Sequence, residues 1–528
     1  MRLQKLNQVK PKTLAFLAGS AFLFLYWWFG YDGITFSDDV YYLIAGKRFW
    51  EGTMTVNSYH FSSRWGAYVP AGLVGKILGF EPHRISLISL LSYAASLWML
   101  IKVLPEKSNP WILVLWFSTQ VYFLHFLTKV YPDSLLVFWT VLVPFSAYFR
   151  KSKPFLAALG VVMGLFFGFL TKETIVFLAP LPIILFFIDR VNPSFSSKFY
   201  LYLTSLAIVT TVVYLGYFWV SFGDPFYRIS SINSGHYISE FTYADKGLRA
   251  ILRRLSYLPI ITFVERGYWP WIVFGLAGIW KIREQRYSSP ILEYACASIL
   301  ILTGFWVMSS TLEFYNPIYL NPRHLILLVP ILSFLIAVGW KRWTDDPILK
   351  KWILVLFFIG ISISAVQQDL KMLGFQGLII VWILSAKLPF RNLLLTGTLL
   401  FPTVFAIRYQ KDLKNYSGLI ETLNKINLSN DNQDIILTNS FINFSKEVLL
   451  PSDTNSQSRL ISIEKTDSVL GLQPEKLQVL LHFYHQHAYP EEQQEVDHLE
   501  DRLKAEYQLI DQKEIHQITW RTFIRKTE

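Results

Sequence analysis

The sequence has one cysteine, Cys296, in 528 residues. A lone cysteine excludes a disulfide framework and any cysteine-based zinc or iron–sulfur centre. Charge is also scarce. Asp, Glu, Lys and Arg make up 16% of the chain, against about 25% in soluble domains, which rules against a single soluble globule. There is no Walker-type phosphate loop and no Rossmann glycine fingerprint, so nothing points to ATP- or NAD-driven chemistry. Internal repeats and low-complexity segments are absent as well. What the chain has in quantity is apolar surface: 52% of residues are hydrophobic, with 42 Phe, 28 Tyr and 18 Trp. That much material for burial excludes intrinsic disorder.

The net charge of +11 is unevenly placed. Residues 408–528 hold 14 Lys and Arg against 19 Asp and Glu, a net of −5, which leaves +16 for residues 1–407. The positive excess therefore belongs to the hydrophobic part. Basic loops between membrane segments explain it better than a nucleic-acid surface does.

Thirteen apolar runs occur in that part, at 14–29, 85–104, 110–127, 134–149, 155–170, 174–188, 200–222, 268–281, 291–310, 324–339, 351–366, 375–386 and 392–407. Several fall short of the roughly 20 residues a spanning helix needs, and flanking Trp, Tyr or Lys must complete them. With the N-terminus inside (Arg2, Lys5, Lys10, Lys12), alternate loops carry Arg150/Lys151/Lys153, Lys281/Arg283/Arg286, Lys341/Arg342/Lys350/Lys351 and Lys387/Arg391. Opposite loops are poorer, with Lys129, Lys172 and Lys371 nearly alone in theirs. The positive-inside rule then sets residues 30–66, 128–133, 171–173, 223–267, 311–323 and the C-terminal region outside the cytoplasm. The first run lacks a small-residue cleavage site and reads as an uncleaved helix.

Residues 408–528 have a different texture. Asp434–Thr438, Gln478–Phe483 and Tyr507–Ile510 read as strands, and Ser417–Lys425 and Glu491–Lys504 as helices with charged faces, together a small α/β domain. His482, His485 and His487 are near enough in sequence for a metal. On one strand, however, 482 and 485 would face opposite ways, so no site is expected there. Cys296 and the Gly160, Gly164, Gly168 series read as helix packing. The Gly- and Pro-interrupted segment Ala67–Phe80 reads as lying in the membrane interface.

Ionisable groups near a bilayer are costly, so their positions point to function. Asp38 and Asp39 follow the first run, in a loop too long to be a mere connector. Asp133 follows the third run, and Lys172 and Glu173 occupy the turn between the fifth and sixth. Arg64, Arg228, His236 and Arg323 fall in other loops of the same side. Such a gathering suits an anionic, phosphate-bearing substrate. The plainer readings are that Asp38 and Asp39 cap a helix starting near Val40, and that Lys172-Glu173 is a solvated hairpin turn.

The order of these motifs resembles the GT-C superfamily of polyprenyl-phosphate-sugar-dependent glycosyltransferases. Nearest are the family 39 branch, with its protein O-mannosyltransferases, and the aminoarabinose transferases that modify lipid A. The first outer loop reads Asp38-Asp39-Val40-Tyr41-Tyr42, where the family has an Asp-Glu-x-x-Tyr-like motif, followed by Gly52. Arg64-Trp65-Gly66, Pro70 and Gly79 match an Arg…Pro…Gly stretch. Tyr131-Pro132-Asp133-Ser134 matches an acidic opening of the fourth span. Gly164, Gly168 and Thr171-Lys172-Glu173 match a glycine-rich fifth span. A Gly-Asp-Pro-Phe-Tyr segment starts at Gly223, and Arg323-His324 stands where the family has Arg-Tyr. The likeness covers roughly residues 14–340, and the C-terminal domain matches nothing known to us. One departure is Asp39, where the family has Glu.

The resemblance implies an α-helical polytopic membrane protein with a catalytic domain over 1–407; the apolar runs give it about 13 transmembrane helices, and the texture of residues 408–528 adds a small extracytoplasmic α/β domain. The resemblance also implies an inverting transfer of a sugar from a polyprenyl-phosphate donor to a lipid, protein or glycan acceptor, at the outer face of a bacterial inner membrane. Asp38, Asp39 and Asp133 are then the catalytic candidates, with Asp38 first as base. Arg64, Lys172 and Arg323 are expected to neutralise the donor phosphate. Tyr42, Glu173, Arg228 and His236 are candidate substrate contacts. If a divalent cation (Mg or Mn) takes part, Asp38, Asp39 and Asp133 are its candidate ligands. Two other readings of the residues stay open: a secondary transporter, and a lipid-carrier-binding membrane scaffold.

Overall fold

The computed structural model describes residues 10–191, 195–234, 242–280, 290–385, 389–428, 434–451 and 453–526. His236, Lys281, Arg283, Arg286 and Lys387 lie outside the described residues, as do Arg2 and Lys5.

Among the described residues, each of the thirteen apolar runs is largely helical. By length and composition, seven helices qualify as spans among the described residues: Pro11–Gly30, Pro82–Val103, Pro154–Thr171, Lys198–Phe222, His324–Asp345, Pro347–Val366 and Arg391–Ile426. Trp269–Ile279, Ile291–Val307 and Leu370–Leu384 are shorter apolar helices. Two runs differ from a simple span. Run 110–127 is a broken pair, Pro110–Phe117 and Val121–Leu127, bent by 75°. The break has a local cause: the Gln120 side chain accepts from the Phe123 N–H at 2.7 Å and so starts a new helix. Run 174–188 begins as a 3₁₀ turn, Glu173–Leu178, and becomes α-helix only over Leu181–Arg190. Pro180 and Pro182 lack the N–H groups that a continuous helix would need, so they mark its first turn instead.

The chain folds as two compact units. The first comprises Met1–Phe29, Met54–Pro70 and Leu87–Val404, and the second Gly30–Thr53, Ala71–Ser86 and Phe405–Glu528. In the first unit, Pro132–Tyr148 packs on Leu87–Val103 and on Pro154–Thr171, and Leu328–Asp345 packs on Trp269–Ile279. Small residues allow these close approaches, as expected between membrane helices. A Cβ on Gly164 would stand 2.8 Å from Val143, and one on Gly168 2.6 Å from Ile175. Gly160, Gly164 and Gly168 are therefore packing glycines, as the sequence suggested. Helix Lys198–Phe222 leaves Leu201, Val213, Trp219 and Val220 mostly exposed. An apolar face of that length exposed to water would be unfavourable, and lipid is the solvent that suits it.

The second unit holds a five-stranded sheet: β1 (Ile435–Thr438), β2 (Leu460–Ser462), β3 (Lys476–His482), β4 (Tyr507–Ile515) and β5 (Ile518–Arg525), in the order β2-β1-β3-β5-β4. β1 is parallel to β2 and β3, while β5 is antiparallel to β3 and β4. Helices cover it around a core of Leu437, Leu477, Val479, Leu499, Leu503 and Phe523. The expected strands and helices are all present, and β2 and β5 are additions. β2 is three residues long, too short to show periodicity. His482 ends β3, whereas His485 opens a short helix, His485–Ala488, so the two do not share a strand.

Candidate functional site

In the first unit, five chain turns bring charged side chains together. Pro132 starts a helix whose first turn carries Asp133. Helix Pro154–Thr171 ends at Lys172, which is extended, and the next residue, Glu173, opens the 3₁₀ turn. Adjacent residues thus enter different networks. Lys172 Nζ donates to Asp133 Oδ1 at 2.6 Å, with both side chains buried. Glu173 is held by two arginines. Arg64 forks onto it, Nη2 to Oε2 at 2.7 Å and Nε to Oε1 at 3.2 Å, and Arg228 Nη2 donates to Oε1 at 2.8 Å.

Backbone carbonyls aim the second arginine. Arg228 Nη2 also donates to the Phe169 carbonyl at 2.6 Å and Nη1 to the Ser63 carbonyl at 3.3 Å. Its Nε is buried and has no partner among the described residues. Gly66 lets this corner close: a Cβ there would lie 2.8 Å from the Thr171 nitrogen and would strike its Oγ1. Arg323, at the start of the next element, lies 5.1 Å above the Tyr131 ring, with its Nε 3.3 Å from His324 Nε2.

The electrostatics are those of an anion site. In these networks Arg64 and Arg228 share the Glu173 carboxylate, Lys172 pairs with Asp133, and Arg323 adds a further positive charge beside Lys172. Burial pushes the Lys172 ammonium down to about 8, against the pull of Asp133, and repulsion from Arg323 and Arg64 adds to the effect. Burial would raise the Glu173 carboxyl, but Arg64 and Arg228 overcome it and hold that group well below the usual range. Such a site lowers its own energy by admitting an anion with paired negative charge.

Asp38 and Asp39 belong to the second unit, where Asp38 opens helix Asp38–Trp50. Asp39 is buried and its oxygens are taken up locally. Oδ1 accepts from Thr35 Oγ1 at 2.7 Å, Val40 N at 3.0 Å and Ser37 N at 3.2 Å, and Oδ2 accepts from Thr35 N at 2.6 Å. This carboxylate organises its own loop, close to the capping role that is the plainer reading of the motif. Asp38 is half-buried. Tyr42, on the same helix, is fully buried. The helix start is two residues earlier than Val40.

The structure thus joins Asp133 with Lys172, and Arg64 and Arg228 with Glu173, and sets Arg323 by its charge near Lys172. No three His, Cys, Asp or Glu side chains converge on a metal position among the described residues. One network was not anticipated. Arg150 forks onto Asp189, Nε to Oδ2 at 2.6 Å and Nη2 to Oδ1 at 2.9 Å, and also donates to Glu293. A signal was present: Glu293 lies inside an apolar run, where a charge needs a partner.

No protein-family model matches the chain. No curated protein sequence matches it. Solved structures do match in fold. The crystal structure of ArnT from Cupriavidus metallidurans bound to undecaprenyl phosphate superposes with a TM-score of 0.59 at 12% identity, covering 96% of this chain and 97% of that one. The same protein in the apo state gives 0.58, with the same identity and coverage. The chain therefore shares the fold of these ArnT structures, a multi-pass helical protein with a small C-terminal α/β domain.

Proposed function

We propose that this protein is an integral membrane glycosyltransferase that takes its sugar from a polyprenyl-phosphate donor and passes it, with inversion, to a lipid, protein or glycan acceptor. The observation that carries the reading is the cation-rich cluster of Arg64, Lys172, Arg228 and Arg323. It has the charge to bind a phosphate and to stabilise it as it departs. The match to a structure with undecaprenyl phosphate bound supports the same class of donor.

In the reaction the acceptor oxygen or nitrogen attacks the anomeric carbon as the bond from that carbon to the phosphate oxygen breaks. The acceptor's proton passes to a carboxylate, and polyprenyl phosphate leaves with the electron pair. Asp38 is the base in this scheme, by its match to the leading Asp of the family's motif, while Asp39 holds its own loop. Lys172, Arg64 and Arg323 receive the phosphate, and Arg228 holds Glu173 beside them. Tyr42, being buried, supports the helix that carries Asp38. Asp133 keeps Lys172 in place. A divalent cation is not needed for any of these steps, and Asp133 is committed to Lys172.

In this reading the site lies at the outer face of an inner membrane, with the N-terminus in the cytoplasm and residues 408–528 outside it. A reporter fused after Ile407 should read as extracytoplasmic. The activity is tested with purified protein in lipid nanodiscs and a set of synthetic polyprenyl-phosphate sugars, by following release of polyprenyl phosphate. Acceptor-dependent release that fails in Lys172→Met supports the reading. Transport of the intact donor without cleavage would overturn it in favour of a carrier.

A further inference from the structure

The C-terminal α/β domain has no role in the scheme above, yet its sheet has a feature that calls for one. From β1 the chain moves to β2 on one side and returns to β3 on the other. Parallel sheets with such a reversal open a crevice outside the carboxyl ends of the strands, beside the reversal, and ligands bind there. Here that position lies past Thr438 of β1 and His482 of β3, where Asn439 Oδ1 accepts from the His482 N–H at 2.7 Å.

It is filled by the chain itself. The Phe36 ring is 2% exposed and packs 5.0 Å from Phe441 and 6.1 Å from Tyr484. Its backbone is left-handed, with φ at 59°, a conformation that a bulky side chain keeps only when its surroundings impose it. Tyr489 stacks on Phe441 at 5.0 Å, and its hydroxyl donates to the Phe36 carbonyl at 2.9 Å and the Thr35 carbonyl at 3.2 Å. Lys414 Nζ donates to Asp32 Oδ2 at 2.7 Å, with both residues buried. Lys414 is itself tied to the strand end. His482 Nδ1 accepts from the Tyr484 N–H, so its Nε2 carries the proton and donates to the Lys414 carbonyl at 2.8 Å. Arg48, at the far end of the helix, donates to both oxygens of Glu447.

We propose that the α/β domain uses its strand-end crevice to grip residues 32–36, and that Tyr489 and Lys414 are positioning residues that set where the Asp38 carboxylate stands. Thr35 is the link. Its carbonyl is held by Tyr489, while its N–H and hydroxyl hold Asp39, next to Asp38. The domain thus acts on the transfer step through this loop. This inference rests on the glycosyltransferase reading.

The test uses the full-length chain in nanodiscs, with transfer kinetics and amide exchange of residues 31–40 measured on the same samples. Tyr489→Phe removes one hydroxyl and keeps the ring. It should lower kcat by threefold to tenfold, the worth of one buried hydrogen bond, and speed exchange of the loop by a similar factor. KM for the polyprenyl-phosphate sugar should not change, because no residue assigned to the phosphate is altered. A merely structural role would leave kcat per folded molecule untouched. Lys414→Arg, which keeps the charge beside Asp32, should retain more activity than Lys414→Gln. Wild-type kcat in Tyr489→Phe, or a rise in KM alone, overturns the proposal while the glycosyltransferase reading stands. Absence of transfer by the wild-type chain overturns both.

Discussion

The two neighbouring aspartates should respond in opposite ways to the same substitution. In Asp39→Asn one carboxylate oxygen becomes an amide nitrogen, which donates. Asp39 accepts from two donors on Thr35 and from the N–H groups of Ser37 and Val40, at 2.6–3.2 Å. In either amide orientation at least one of these donors meets another donor. A hydrogen bond to a charged group contributes about 1.5–3 kcal/mol, and a buried donor left unmet costs about 1–3 kcal/mol. Allowing for overlap between the two terms, opening of the loop should become easier by about 2–4 kcal/mol. That corresponds to amide exchange at Thr35 and Val40 faster by about 30-fold to nearly 1000-fold. Asp38→Asn should leave those amides unchanged and lower kcat by about a hundredfold or more, the usual contribution of a general base. Exchange measured by mass spectrometry on nanodisc samples, beside transfer assays, separates the two effects. Unchanged exchange in Asp39→Asn would refute the assignment of that residue to the loop. Full activity in Asp38→Asn would refute its assignment as base.

Other outcomes follow from the same geometry. Lys172 titrates at about 8 when folded, against an ordinary 10.5, so its charge is lost as pH rises past about 8. Donor KM should climb above that pH in the wild type and stay flat in Lys172→Arg. Burial pushes the His482 imidazole down to about 4 from its ordinary 6.5, with hydrogen bonds to the backbone opposing the shift. Between those values the unfolded chain binds a proton that the folded chain does not, so stability falls as pH drops from about 6.5 to about 4, by roughly 3 kcal/mol in all. Pulse proteolysis within residues 434–526 at the two pH values measures this, and His482→Gln should remove the slope. Glu173→Gln strips the countercharge from Arg64 and Arg228 and should destabilise by about 3–5 kcal/mol. Gly66→Ala should disrupt the Arg64–Glu173 corner, because its Cβ meets the backbone of Thr171, whereas Gly374→Ala has open space and should be silent. Thermal scans at a fixed rate compare these three variants with the wild type.

Much of the architecture was readable from composition. Period and length mark the thirteen apolar runs, and charge asymmetry separates a basic membrane part from an acidic end, because lipid and water impose different residue choices. The site's residue types were also legible, since ionisable groups at the ends of apolar runs are costly enough to need a reason. Their partners were not. Lys172 and Glu173 are neighbours in sequence, yet one pairs with Asp133 and the other with Arg64 and Arg228. That division depends on the extended backbone at the end of a helix. Glu293 was hidden within an apolar run, and Asp189 stood just past the end of another.

Hydropathy and charge act locally along the chain, so a helical membrane protein with an α/β end and acidic and basic loops could be read from the residues alone. Only the tertiary structure decided which charges meet. The contacts that matter most join residues hundreds of positions apart, such as Asp32 with Lys414 and Phe36 with Tyr489. No local pattern encodes such pairings, since each needs two distant segments to fold to the same place before its energy can be gained.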